Sequence, residues 1–110
     1  MSTFGFTKQE ALRHWNECLS EQTISKADLE YFKKRKSYEF DCFNACVMRK
    51  RGSINNGKID VVKLLSTLRG MGLINNSRTQ EQLQRCASVA NKERNECFVA
   101  KNMLDCFFIK

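Results

Sequence analysis

The chain contains no proline, one histidine, one tryptophan and only five glycines among its 110 residues. Without proline nothing in the backbone forces a kink, so helices can run unbroken between a few stops. Four of the glycines, Gly52, Gly57, Gly70 and Gly72, fall in two short stretches and mark those stops. A lone His14 argues against paired-histidine zinc sites and against a switch built from several histidines. No apolar run approaches the length of a membrane span; the longest clear cluster is Cys106, Phe107, Phe108 and Ile109. Met1 to Glu10 likewise lacks the hydrophobic stretch of a signal peptide. If the protein is secreted, its signal is expected to have been removed already, with Met1 left from expression.

What is present describes a folded globule. Apolar residues make up 42% and charged residues 28%, too apolar for a disordered chain. The length predicts a single domain over residues 1–110, whose modest core would gain from covalent reinforcement. The net charge is +7, with basic runs at Lys33, Lys34, Arg35, Lys36 and at Arg49, Lys50, Arg51. Such runs would suit a polyanion, but both fall where helices are expected to end, and cations in a last turn complement the helix dipole.

Apolar spacing predicts an all-α fold of about six helices. The first spans about Thr7 to Ser20, with Leu12, Trp15 and Leu19 at helical spacing and a Thr7/Glu10 capping-box pattern. A second starts after Ser25 and carries Leu29 and Phe32; a third covers about Tyr38 to Lys50 with Phe40, Phe43 and Val47 on one face. Gly52 to Gly57 reads as a loop, and no segment alternates as a strand. Asp60 can cap a fourth helix bearing Val61, Val62, Leu64, Leu65 and Leu68, stopped at Gly70 and Gly72. A fifth runs from about Thr79 to Lys92 with Leu83, Ala87 and Ala90, and a sixth from about Asn95 carries Phe98, Met103, Leu104 and Phe107. The polar patch from Asn91 to Glu96 is consistent with either a break or a bend.

Six cysteines, at positions 18, 42, 46, 86, 97 and 106, carry the most specific signal. Many pairings are possible in principle. Cys42 and Cys46 project from one helix face within about 40° at about 3.6 residues per turn, so each should bond to a different helix. Cys97 and Cys106 lie on roughly opposite faces and must be tied in different directions. The third and sixth helices thus become hubs. The spacing disfavours structural zinc, which wants two close ligand pairs, and it lacks the matched pairs of a mitochondrial helical hairpin.

The order C-x23-C-x3-C-x39-C-x10-C-x8-C resembles the six-cysteine signature of insect odorant-binding proteins. Gly57-Lys58-Ile59-Asp60 through Lys63-Leu64-Leu65 is similar to the start of that family's fourth helix. The signature spans Cys18 to Cys106, although its first interval is short for the family. The resemblance implies the pairing Cys18 with Cys46, Cys42 with Cys97 and Cys86 with Cys106, in agreement with the hub argument. It also implies an apolar cavity between the helices and a secreted carrier of a small hydrophobic molecule such as an odorant, pheromone or fatty acid.

Candidate lining residues are the inward stripes: Leu12, Trp15, Phe43, Val62, Leu65, Leu68, Met71, Leu83, Ala87, Phe98, Met103 and Phe107. Such stripes are ordinarily solid core, and only the resemblance assigns part of them to a cavity. A carrier needs no nucleophile, metal or cofactor, and none is expected. His14 precedes Cys18 by one turn, but a Cys-His nucleophile requires a free thiolate, which a disulfide removes. No enzymatic activity and no nucleic-acid partner are expected; a membrane receptor and a monomer or weak dimer fit the carrier reading. Asn75-Asn76-Ser77 is a glycosylation sequon in an expected loop. The reading from a different class is a secreted or salivary interaction protein that binds polyanions or a host factor through the basic surface.

Overall fold

The computed structural model describes residues 8–70, 72 and 77–108. Its elements are α1 (Lys8–Glu21), α2 (Lys26–Lys34), α3 (Tyr38–Lys50), β1 (Ile54–Asn55), β2 (Lys58–Ile59), α4 (Val61–Gly70), α5 (Ser77–Ala90) and α6 (Glu96–Phe108). The expected six-helix, all-α fold is therefore present. Thr7 of the expected capping box, Met71, and Asn75 and Asn76 of the sequon lie outside the described residues.

Local chemistry explains most boundaries. Ser25 caps α2 through a reciprocal box with Asp28, in which each backbone N–H donates to the other's side chain at 3.0 Å. Lys33 and Lys34 occupy the last turn of α2 and Arg49 and Lys50 that of α3, where the helix dipole favours cations. Past α2, Lys36 takes a left-handed conformation (φ 50), a position usually given to glycine and costing another residue about 1 kcal/mol. Asp60 caps α4, its carboxylate accepting from the Lys63 N–H at 3.1 Å.

One boundary differs from expectation, and one left open by the sequence is settled. The stretch read as a loop contains a two-residue hairpin, with Ile54 opposite Ile59 and Asn55 opposite Lys58. Asn56 and Gly57 both have positive φ (54 and 77), the requirement of the tight turn that Asn-Gly favours, and the strands were too short to alternate visibly. Between α5 and α6 the chain breaks rather than bends. There the Asn91 side chain accepts from the Ile59 N–H at 2.7 Å, and the Lys58 ammonium donates to the carbonyls of Asn91 and Glu93 at 2.7 and 2.9 Å. The hairpin thus fastens the end of α5, and Asn95 starts α6 by accepting from the Cys97 N–H at 2.8 Å.

All six cysteines are paired: Cys18–Cys46 joins α1 to α3, Cys42–Cys97 joins α3 to α6, and Cys86–Cys106 joins α5 to α6. Helices α3 and α6 are the two hubs. Around this frame the apolar residues separate into two clusters. One gathers Cys18, Leu19, Leu29, Phe43, Cys46 and Val47 from α1, α2 and α3. The larger is built from α3, the hairpin, α4, α5 and α6 around Met48, Ile54, Leu65, Leu83, Val99 and Met103.

Candidate ligand-binding region

The larger cluster brings together six of the expected lining residues. Leu65 and Leu68 of α4, Leu83 and Ala87 of α5 and Met103 of α6 are buried in it, and Phe107 packs against it partly buried. Three helix stripes, from α4, α5 and α6, therefore converge on one apolar interior, while the bridges Cys42–Cys97 and Cys86–Cys106 fix how α3, α5 and α6 are spaced. Phe43 is buried in the other cluster, and Trp15 meets its ring edge-on at a centroid distance of 4.7 Å. Trp15 itself is 37% exposed.

Leu12, Val62 and Phe98 stand elsewhere: they are 57%, 77% and 39% exposed. Helix phase explains each. Leu12 is rotated about 120° from buried Cys18, Val62 about 160° from Leu64 and Phe98 about 140° from Met103, at about 100° per residue. Phe98 instead packs on Tyr38 at 5.4 Å, and the Tyr38 hydroxyl accepts from the Asn95 side chain at 2.7 Å. Val62 and Leu65 line an open depression of about 450 Å³ with Ser66 and Arg69, at the end of α4. Leu12 lies in a shallow depression along α1 beside Arg13 and Glu17.

The sequence stripes omitted several interior positions. Ala45 and Met48 of α3, the two hairpin isoleucines, and Val99 and Ala100 of α6 all belong to the larger cluster. Ala45 and Met48, and Ala100 and Met103, sit three apart on one helix face, a signal that was legible. The hairpin contribution needed the turn to be recognised first.

The polar groups around this interior divide by position. Arg49 pairs with Glu21 at 3.5 Å and with Glu96, and Lys50 pairs with Glu17 at 3.6 Å and with Glu21, so the second basic run is largely neutralised by α1 and α6. The hydrogen bond from Lys50 holds the Glu21 carboxyl below its ordinary range and raises the Lys50 ammonium above its own. Lys33, Lys34 and Lys36 are exposed and form no ion pair among the described residues. His14 is buried on α1, and burial, followed by the charges of Arg13 and Arg51, pushes its pKa down. Asp41 of α3 is buried beside α6; burial raises its pKa, Lys101 opposes that shift and Asp105 adds to it. Asp41 also lies in a groove of about 550 Å³, walled by α3 and α6 and overhung at one end by α2.

The family model of the PBP/GOBP family matches residues 5–110. The chain belongs to this family. That is the odorant-binding family whose cysteine spacing the sequence resembles. Among curated proteins no relative matches. A solved structure, the fatty acid binding protein OBP56a from the oral disk of the blowfly Phormia regina, shares the fold with a TM-score of 0.67 at 18% identity, covering 93% of this chain and 91% of that one. Among the described residues of this PBP/GOBP family member, no helix is long and apolar enough to cross a membrane.

Proposed function

We propose that the protein is an extracellular carrier that holds a small hydrophobic molecule, an odorant, pheromone or fatty acid, against the interior of α4, α5 and α6. The observation that carries this reading is the convergence of Leu65, Leu68, Leu83, Ala87, Met103 and Phe107 on one apolar region framed by disulfides. Small-molecule sites are mainly apolar and largely preformed, and cross-links between α3, α6 and α5 preserve spacing that an unbridged core would close. Family membership supports it, as does the shared fold with a fatty acid binding relative. The chemistry required is burial, with no nucleophile, metal or cofactor, and delivery to a membrane receptor by a monomer or weak dimer fits it.

The test is displacement of an environment-sensitive apolar dye from delipidated, oxidised protein by a long-chain fatty acid or volatile. Binding should saturate at one interior site and vary little with salt, since apolar burial drives it. Ala87→Trp should weaken it more than it lowers thermal stability; a solid core would show the reverse. Absence of saturable dye binding would overturn the reading.

A second reading, an interaction protein for polyanions or a host factor, is favoured by one observation. The run from Lys33 to Lys36 is fully on the surface and, unlike Arg49 and Lys50, is not neutralised by neighbouring carboxylates. Heparin binding that weakens steeply with salt and is lost on charge reversal across this run would support it.

A further inference from the structure

We infer that the groove between α3 and α6 is a second binding site, on the outside of the bundle, for a single-chain anionic amphiphile such as a medium-chain carboxylate. It is separate from the interior just described: none of its lining residues belongs to the larger apolar cluster. Its volume of about 550 Å³ lies within the range of about 300 to 1,000 Å³ common for small-molecule sites.

The two walls come from matched helical stripes. Phe40 and Asn44 are one turn apart on α3, Leu104 lies on α6, and the half-buried Phe40 and Leu104 supply apolar surface. The Cys42–Cys97 bridge, with a Cα–Cα distance of 4.4 Å, ties these walls together between Phe40 and Asn44 in sequence. The groove is therefore preformed, which lowers the ordering cost of binding.

Charge in the groove is asymmetric. On the α6 wall Lys101 is held by Asp105 at 3.0 Å, and its charge also acts on buried Asp41, so this wall has no net positive charge to offer. At the α2 end Lys33 and Lys36 line the groove with no ion pair among the described residues. One anionic head group is thus accommodated beside Lys33 and Lys36, with its chain running over Phe40 toward Leu104. The two carboxylates in the groove, Asp41 and Asp105, disfavour a second negative charge and hence a polyanion lying along it.

The probes are decanoate, 1-decanol and acetate, added to the oxidised protein at about pH 7.5, where the carboxylate is ionised. Binding is followed by heteronuclear NMR through backbone amide shifts. Decanoate should move the amides of Asn44 and Leu104, whereas decanol and acetate should leave them in place. Lys33→Glu with Lys36→Glu should weaken the decanoate effect at least tenfold while the remaining spectrum shows an intact fold. Raising salt from about 0.05 M to about 0.5 M should weaken it several-fold by screening. Decanoate shifts at Asn44 and Leu104 that survive the double charge reversal, that acetate reproduces, or that never appear would overturn the second site. The amides of Leu83, Ala87 and Met103 report separately on the interior. Silence there with both decanoate and decanol would count against the carrier reading and not against the groove.

Discussion

Replacing Cys42 and Cys97 together by alanine is expected to cost more stability than the same replacement of Cys86 and Cys106. The two bridges span separations of 55 and 20 residues. A cross-link removes loop-closure entropy from the unfolded chain, worth about 4.2 kcal/mol for the longer loop and about 3.3 kcal/mol for the shorter at room temperature. Packing losses nearly cancel between the variants, because each pair joins one buried cysteine, Cys97 or Cys86, to one half-buried partner, Cys42 or Cys106. Nor do the other bridges offer a short cut across the long loop, since the stretch from Cys46 to Cys86 stays uncrossed by them. The expected difference is therefore about 0.9 kcal/mol, or about fivefold in the folding equilibrium. Equilibrium urea unfolding without reductant measures it, after peptide mapping has verified the two bridges left in each variant. The denaturant dependence should also steepen, more for the Cys42/Cys97 variant, because its unfolded chain is freed to expose more surface. Equal losses, or a larger loss for the Cys86/Cys106 variant, would refute the idea that restraint of the unfolded chain sets the ranking.

Asn91→Ala removes the acceptor for the Ile59 N–H and should cost about 1 to 3 kcal/mol, seen as a lower melting temperature and faster hydrogen exchange at Ile59. An unchanged exchange rate there would show that the hairpin is not held by this contact. The lowered pKa of His14 means that the unfolded chain takes up a proton first, so stability should fall as pH drops from 6.5 through the lowered value. His14→Gln should flatten that limb of a melting-temperature profile. Asp41 acts in the opposite sense: its raised pKa means that stability declines as pH rises from 3.8 through the raised value, and Asp41→Asn should remove this decline. A profile that Asp41→Asn leaves unaltered would place the titrating group elsewhere.

The fold was legible because its strongest determinants are local or covalent. Six cysteines at family spacing led to the frame, and the absence of proline together with capping residues such as Ser25 and Asp60 led to the helices. The interior was legible in part. Apolar residues on α4 are too dense to choose among by spacing: Val61, Val62, Leu64, Leu65 and Leu68 all fit a broad stripe, yet Val62 faces out. On α1 and α6 the same ambiguity misplaced Leu12 and Phe98, whose sides are decided by where Cys18 and Met103 are anchored. The groove could not be read at all. Phe40 and Asn44 meet Leu104 only after Cys42 and Cys97 have brought distant helices together, and nothing in either local pattern encodes that meeting.

The bridges run in series from α1 to α3 to α6 to α5, and no disulfide ties α2 or α4 to that chain of helices. Motion is therefore unequally permitted. Displacing α1, α3, α5 or α6 far from its bridged partner requires thiol chemistry, while α4 can swing away for the loss of noncovalent contacts alone. Because α4 supplies Leu64, Leu65 and Leu68 to the larger cluster, it is a wall of that interior whose displacement would break no disulfide. Amide exchange along α4 should then outpace that along α3 and α6, and a traffic of small molecules through that side would need no reductant.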